Sequence, residues 1–214
     1  MKALINKIHQ ADCLEFMKQL PDNSIDCVIT DPPYGVLKDF DWDNVDYFQS
    51  SIKKWIAESL RVTKYGLLLF CAEKFLPLIL KDEKTFQRLL IWNKKCGVGS
   101  INNGIWYSTE PIAVFIKNKE IEKRGDKDFS LSIFNKSKRD GNYQFDHPTI
   151  KPYQLMEWLI KHYTKEDDLI LDPFAGSGST CVAAQNLHRN FIGIELEEKY
   201  CEIARDRLRQ DTLI

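Results

Sequence analysis

Leu169-Ile170-Leu171-Asp172-Pro173-Phe174-Ala175-Gly176-Ser177-Gly178-Ser179-Thr180 is the stretch whose reading decides the fold. Three aliphatic residues make a short buried strand, an acid ends it, two glycines make a tight loop, and a helix then runs to about residue 188. Glycine lets the backbone approach a ligand where a Cβ would clash, and a strand–loop–helix unit of this kind is how open α/β sheets present such a loop. No Gly-Lys-Ser/Thr ending follows, which argues against an ATP-type phosphate loop. The next strand, Phe191-Ile192-Gly193-Ile194, ends at Glu195, an acid placed to accept hydrogen bonds from ribose hydroxyls. The loop alone reads equally well as a structural turn. Loop and acid together point to an adenosyl or dinucleotide ligand.

Outward from this unit, short β-like runs alternate with helix-like runs, the pattern of a parallel or mostly parallel sheet covered by helices. Strands are expected at 3–9, 25–30, 66–70, 86–92 and 111–117, and helices near 12–19, 47–62, 73–81, 152–163 and from about 197. Phe48, Ile52, Trp55, Ile56 and Leu60 recur at helical spacing within 47–62. Residues 36–46 are acidic and irregular, 94–109 are rich in Gly and Asn, and 118–146 are polar without a clear period. Neither internal repeats nor a low-complexity linker interrupts the pattern.

The strand Ile25–Thr30 ends at Asp31-Pro32-Pro33-Tyr34. The carboxyl end of a strand is where open α/β sheets bind ligands. Two prolines fix the backbone and donate no hydrogen bond, leaving their carbonyls as acceptors. Asp31 adds a side-chain acceptor and Tyr34 an aromatic face. The set suits an exocyclic amine, with two acceptors for its hydrogens and a ring for stacking. It also suits a rigid turn with a buried tyrosine.

The length of 214 residues allows one α/β domain carrying an insertion. A hydrophobic fraction of 43% with 29% charged residues excludes a disordered or fibrous chain. The six cysteines, at 13, 27, 71, 96, 181 and 201, form no Cys-x-x-Cys pair and no zinc-spaced cluster, so reduced buried thiols are expected and no metal. The first residues lack the apolar core of a signal peptide, and no run approaches a membrane span, so a cytoplasmic protein without membrane contact is expected. The net charge of −1 argues against a purely electrostatic nucleic-acid binder; any DNA-contacting charge must be concentrated locally.

With these motifs in place, the chain resembles the amino-group DNA methyltransferases of the β motif order, the DNA methylase N-4/N-6 family. Asp31-Pro32-Pro33-Tyr34 resembles the catalytic motif and Asp172–Gly178 the cofactor loop. His147-Pro148-Thr149-Ile150-Lys151-Pro152 is similar to a His-Pro-Thr-x-Lys-Pro segment, with Ile150 where Gln is usual. Phe191–Glu195 matches the ribose-binding strand, and Ala11-Asp12-Cys13 the segment contacting the cofactor's adenine. Ile91–Lys94 and Thr109-Glu110-Pro111 also have family counterparts.

The resemblance implies a Rossmann-like class I methyltransferase fold in permuted order, with Leu169–Leu171 beside Ile25–Thr30. It implies residues 1–214 as a single methyltransferase domain with a target-recognition insertion at about 94–146. The cofactor implied is S-adenosyl-L-methionine, bound by Asp12, Cys13, Lys151, Asp172, Phe174, Ala175, Gly176, Ser177, Gly178 and Glu195. Within that set Asp12 is expected to accept from the adenine amine and Glu195 to bind the ribose. Lys151 is expected either near the cofactor carboxylate or holding the catalytic loop.

The reaction implied is methylation of adenine N6 in a base flipped from a short DNA site. Asp31 and the Pro32 carbonyl would accept the amine hydrogens, Tyr34 would stack on the base, and Pro33 would hold the loop. Asp in the first motif position favours adenine. Cytosine N4 is the alternative on the same scaffold, and an inactive cofactor- and DNA-binding protein is the alternative of another class. RNA or protein methylation is a third. Candidate DNA-contacting segments are 36–46 and 94–146, the latter carrying Lys117, Lys119, Lys123, Arg124, Lys127, Lys136, Lys138 and Arg139. A homodimer and a cognate restriction endonuclease are the protein partners the resemblance admits.

Overall fold

The computed structural model describes residues 1–34, 44–81, 83–94, 108–125, 133–135 and 150–210. Its strands are β1 (Lys7–Gln10), β2 (Ile25–Thr30), β3 (Thr63–Phe70), β4 (Phe86–Asn93), β5 (Thr109–Ile116), β6 (Ile133–Asn135), β7 (Leu169–Asp172) and β8 (Asn190–Glu195). They form an eight-stranded sheet in the order β1-β8-β7-β2-β3-β5-β4-β6. Neighbours are parallel except at β5, which runs antiparallel to both β3 and β4. The expected juxtaposition holds: Cys27 pairs with Ile170 and Val28 with Leu171, joining β2 to β7.

Helices cover both faces, which is why the strands read as continuous apolar runs rather than alternating ones. On one face lie α1 (Cys13–Met17), α2 (Val45–Val62) and α3 (Leu76–Leu80); on the other lie α4 (Tyr153–Tyr163), α5 (Ser179–Asn186) and α6 (Glu198–Gln210). Successive residues of β3 serve opposite cores: Leu67 and Leu69 pack toward α2, Leu68 and Phe70 toward α4. Asn44 caps α2 by accepting from the Tyr47 amide at 3.0 Å, and Phe48, Ile52, Trp55 and Ile56 form its buried stripe.

Two local features differ from the sequence reading. Residues 3–9 are not one strand; a 3-10 helix at Lys2–Leu4 precedes β1. Asn6 intervenes at φ 58°, where its Oδ1 accepts from the Phe191 amide at 3.0 Å. Asn adopts that conformation at low cost, so an extended run breaks there. The polar segment 118–146 contains a 3-10 helix at Lys119–Lys123 and the strand β6 on the edge beside β4. Both are too short to impose a period on the sequence. The strand expected at 111–117 is present as β5, which threads between β3 and β4.

Two of the basic residues considered for DNA contact have structural duties at the amino ends of the strands. Lys117 Nζ donates to the carbonyls of Leu60 at 2.7 Å and Thr63 at 3.0 Å, and to Asn23 Oδ1 at 2.6 Å. Arg124 lies 4.0 Å from the Tyr65 ring centroid and pairs with Asp168, with Asp26 3.7 Å away. Lys127, Lys136, Lys138 and Arg139 lie outside the described residues, as do residues 36–43.

Asp168 is 4% exposed and accepts from Arg124 Nε and the Lys165 amide, each at 3.0 Å. Removing one partner of a buried pair leaves the other charge poorly compensated. Asp168→Ala is therefore expected to cost about 3 kcal/mol of stability in urea unfolding, while cofactor affinity of the folded fraction stays unchanged.

Candidate active site

The carboxyl ends of β1, β2, β7 and β8 lie along one edge of the sheet, and a cleft of about 490 Å³ opens there. That volume is in the range of small-molecule sites, about 300–1,000 Å³. Each strand end delivers a sequence-predicted residue to the lining: Asp12 and Cys13 after β1, Asp31 to Tyr34 after β2, Asp172 to Ser177 after β7, and Glu195 at the end of β8. Lys151 joins them from the segment before α4. His147, Pro148 and Thr149 lie outside the described residues.

Gly178 is the one predicted site residue absent from the lining. Its φ is 82°, and a Cβ added there would come within 2.9 Å of Ala204 Cβ. Backbone conformation and the close approach of α6 both favour glycine at this position. Gly176 does face the cleft, at φ 52°, and its amide donates to Glu195 Oε2 at 2.8 Å. The Glu197 amide donates to Glu195 Oε1 at 2.9 Å. Each carboxylate oxygen keeps capacity for a further donor, so Glu195 can still receive ribose hydroxyls. Burial pushes its carboxyl up, partly opposed by these amides.

Asp172 is fixed from two sides, accepting from Thr30 Oγ1 at 2.7 Å and from the Phe174 amide at 3.1 Å. Burial pushes it up to about 6. Phe174 stands edge-on to Trp55 of α2, with centroids 4.7 Å apart. Asp12 caps α1, its Oδ1 accepting from the Glu15 amide at 3.0 Å, so only part of its acceptor capacity faces the cleft. Cys13 is pushed up to about 12 by burial and then by Asp12, which keeps it a thiol and no nucleophile.

The Gly-rich loop has a support that sequence reading missed. Arg207 of α6 is buried and reaches back to donate to the Ser177 carbonyl at 2.6 Å, to Ser177 Oγ at 3.0 Å and to Ser179 Oγ at 3.3 Å. Nothing local in the sequence distinguishes it from the other arginines of that helix.

At the β2 end a chain of charges crosses the site. Lys151 Nζ pairs with Asp31 Oδ2 and lies 3.0 Å from Glu110 Oε1. Tyr34 Oη donates to the same Glu110 oxygen at 3.1 Å, and Lys94 Nζ lies 2.8 Å from Glu110 Oε2. Of the two places expected for Lys151, the structure has it against the catalytic-motif aspartate. Asp31 Oδ1 is buried without a hydrogen-bond partner among the described residues. Burial pushes the Asp31 carboxyl up to about 6, against the pull of Lys151. Burial also works on Glu110, but Lys151 and Lys94 outweigh it and hold that carboxyl at about 2. Lys151 is held charged by Asp31 and Glu110 despite its burial. Tyr34 is pushed well up by burial and then by Asp31 and Glu110, so its hydroxyl stays protonated and donates.

The cysteines among the described residues, 13, 27, 71, 181 and 201, are reduced and buried. No helix among the described residues is long and apolar enough to cross a membrane, and no group of three or more His, Cys, Asp or Glu there could hold a metal.

Known proteins resemble this chain in sequence and fold. The chain is 29% identical to the Type II methyltransferase M1.MboII of Moraxella bovis, over 96% of this chain and 97% of that one. The solved M1.HpyAVI–SAM complex superposes with a TM-score of 0.72 at 26% identity, covering 94% of this chain and 98% of that one. The PvuII DNA methyltransferase, cytosine-N4-specific, has the same fold with a TM-score of 0.73 at 21% identity, over 96% and 89% of the two chains. The DNA methylase family model matches residues 25–206, so strand order, cleft and sequence agree that the chain belongs to the DNA methylase family.

Proposed function

We propose that this protein transfers a methyl group from S-adenosyl-L-methionine to N6 of an adenine flipped out of a short DNA site, with Asp31 as the catalytic residue. The observation that carries the reading is Asp31 itself. It stands at a strand end in the same cleft as the Gly-rich loop and Glu195, and one of its carboxylate oxygens is buried and has no partner among the described residues. A buried acceptor without a donor is costly, and an incoming amine hydrogen would relieve that cost.

The donor set suits the cofactor. Glu195 has acceptor capacity for ribose hydroxyls, Gly176 permits close backbone approach, and Phe174 and Asp12 line the same cleft. When bound, S-adenosylmethionine supplies an electrophilic methyl on a sulfonium. The residues of this chain do the rest. Asp31 Oδ1 and the Pro32 carbonyl accept the two amine hydrogens, which turns the nitrogen lone pair toward the methyl. Pro33 stiffens the loop, and the Tyr34 ring offers a stacking face. Methylation would leave the amine one proton to lose, and Asp31 would accept it. Positioning and fixed charge supply the rate enhancement.

Residues 1–214 act in this reading as one methyltransferase domain in the cytoplasm, with the loops of 94–146 contacting DNA. A homodimer and a cognate restriction endonuclease are its proposed protein partners. Cytosine N4 is the second reading, since the fold accommodates it; Asp31 favours adenine.

The deciding experiment is nucleoside mass spectrometry of DNA from cells expressing the wild type and Asp31→Ala. N6-methyladenine is expected with the wild type and none with the variant, which should still bind cofactor. N4-methylcytosine would replace the primary reading with the second. Transfer should also depend on pH. With cofactor saturating, single-turnover rates are expected to fall as pH drops through about 6, because protonation removes the acceptor on Asp31. Asp172 titrates over the same range, so cofactor affinity measured separately will report its contribution. DNA binding should weaken steeply with salt; a flat dependence would count against a DNA substrate.

A further inference from the structure

Glu110 has no part in the mechanism above, yet three side chains converge on it. It lies at the head of β5, opposite Trp92 of β4, where the antiparallel strand enters the carboxyl edge of the parallel ones. An otherwise apolar strand thus begins with a carboxylate that is only 8% exposed. Its Oε1 accepts from Tyr34 Oη at 3.1 Å and faces Lys151 Nζ at 3.0 Å, while Oε2 faces Lys94 Nζ at 2.8 Å. Lys151 in turn pairs with Asp31 Oδ2. Two of these partners flank the reacting group directly, Tyr34 from the same tetrapeptide and Lys151 across the cleft.

We propose that Glu110 is a positioning residue for methyl transfer: it holds Tyr34 and Lys151 about Asp31, so that Oδ2 is occupied and Oδ1 is the acceptor left for the base amine. The inference rests on the reading of Asp31 as the catalytic residue. Without Glu110, Lys151 answers to Asp31 alone and the Tyr34 hydroxyl loses its acceptor, so the stacking ring loses its orientation. The tyrosine hydroxyl therefore matters through Glu110, which a pure stacking role would not require. Lys94, on the far oxygen, keeps Glu110 from swinging toward solvent.

The groups facing Asp31 set the direction of the pH effect. They are Lys151 before α4, Glu110 on β5, Lys94 after β4, Tyr34 beside it, Cys71 after β3 and Asp172 on β7. Glu110 opposes the ionisation of Asp31 and competes for Lys151. Removing its charge while keeping its shape should let Asp31 ionise at lower pH.

The test uses the full chain, genomic DNA from a methylase-deficient bacterial strain, and labelled S-adenosylmethionine. Glu110→Gln is expected to lower kcat by about tenfold or more, the scale of a misplaced reacting group. Cofactor affinity should stay within about twofold, and the acid limb of the rate profile should move to lower pH. Glu110→Asp keeps the charge but cannot span all three partners; its kcat should fall with the acid limb in place. That variant also serves if Glu110→Gln does not fold. Tyr34→Phe should slow the wild type and add little in the Glu110→Asp background. Wild-type kcat in Glu110→Asp, or a reduced kcat in Glu110→Gln with the acid limb unmoved, overturns the inference. Failure of the underlying reading looks different: Asp31→Ala would then methylate as well as the wild type.

Discussion

The pairing of β2 with β7 is the constraint on which the site depends. Cys27 and Val28 meet Ile170 and Leu171 across a parallel ladder, although the two strands come from opposite ends of the sequence. Just beyond the ladder, the Thr30 hydroxyl donates to Asp172 and locks the two strand ends together. One end carries the group proposed to act on the amine; the other carries the loop proposed to hold the methyl donor. A parallel sheet places all its carboxyl ends on one edge, so fixing this one register brings the two halves of the chemistry to a common cleft. The aliphatic cores on both faces make slippage expensive, because every strand residue is committed to one side or the other.

Charge in the cleft follows from the same architecture. Asp31, Glu110, Lys94 and Lys151 form two anions and two cations in a site largely removed from water. Glu110 has two ammonium neighbours and is held firmly ionised, whereas Asp31 shares one and is pushed up to about 6. Two carboxylates a few ångströms apart are thus tuned in opposite directions. The more easily protonated one is at the position proposed to react. Such asymmetry is how a site obtains both a fixed counter-charge and a base that can release its proton.

Much of this was legible in the sequence. The strand–loop–helix units around Asp172 and Asp31, and the acid at Glu195, are local patterns whose chemistry depends on a few adjacent residues. Glu110 was visible only as part of Thr109-Glu110-Pro111, with no role attached, because its contacts come from an antiparallel strand inserted among parallel ones. Arg207 was equally silent, since its partners Ser177 and Ser179 are brought to it only by packing of α6 against the loop. Gly178 was legible as part of the Gly-rich pattern, but the close approach of Ala204 that also favours glycine there was not. Lys117 and Arg124 had the composition of a DNA-facing segment, but folding turns their charges onto carbonyls and acids at the far edge of the sheet. Side chains that act through neighbours close in sequence are readable from it; those that act across the tertiary fold are not.

The grip of Arg207 on Ser177 has a consequence for biosynthesis. A ribosome makes Asp31-Pro32-Pro33-Tyr34 well before the residue that clasps the Gly-rich loop. Until α6 has emerged and Arg207 has reached back to the loop, the nascent chain lacks the support that shapes its cofactor pocket. The shape of the loop is thereby tied to synthesis of α6, and a chain cut short before Arg207 would carry Asp31-Pro32-Pro33-Tyr34 without this support for the Gly-rich loop.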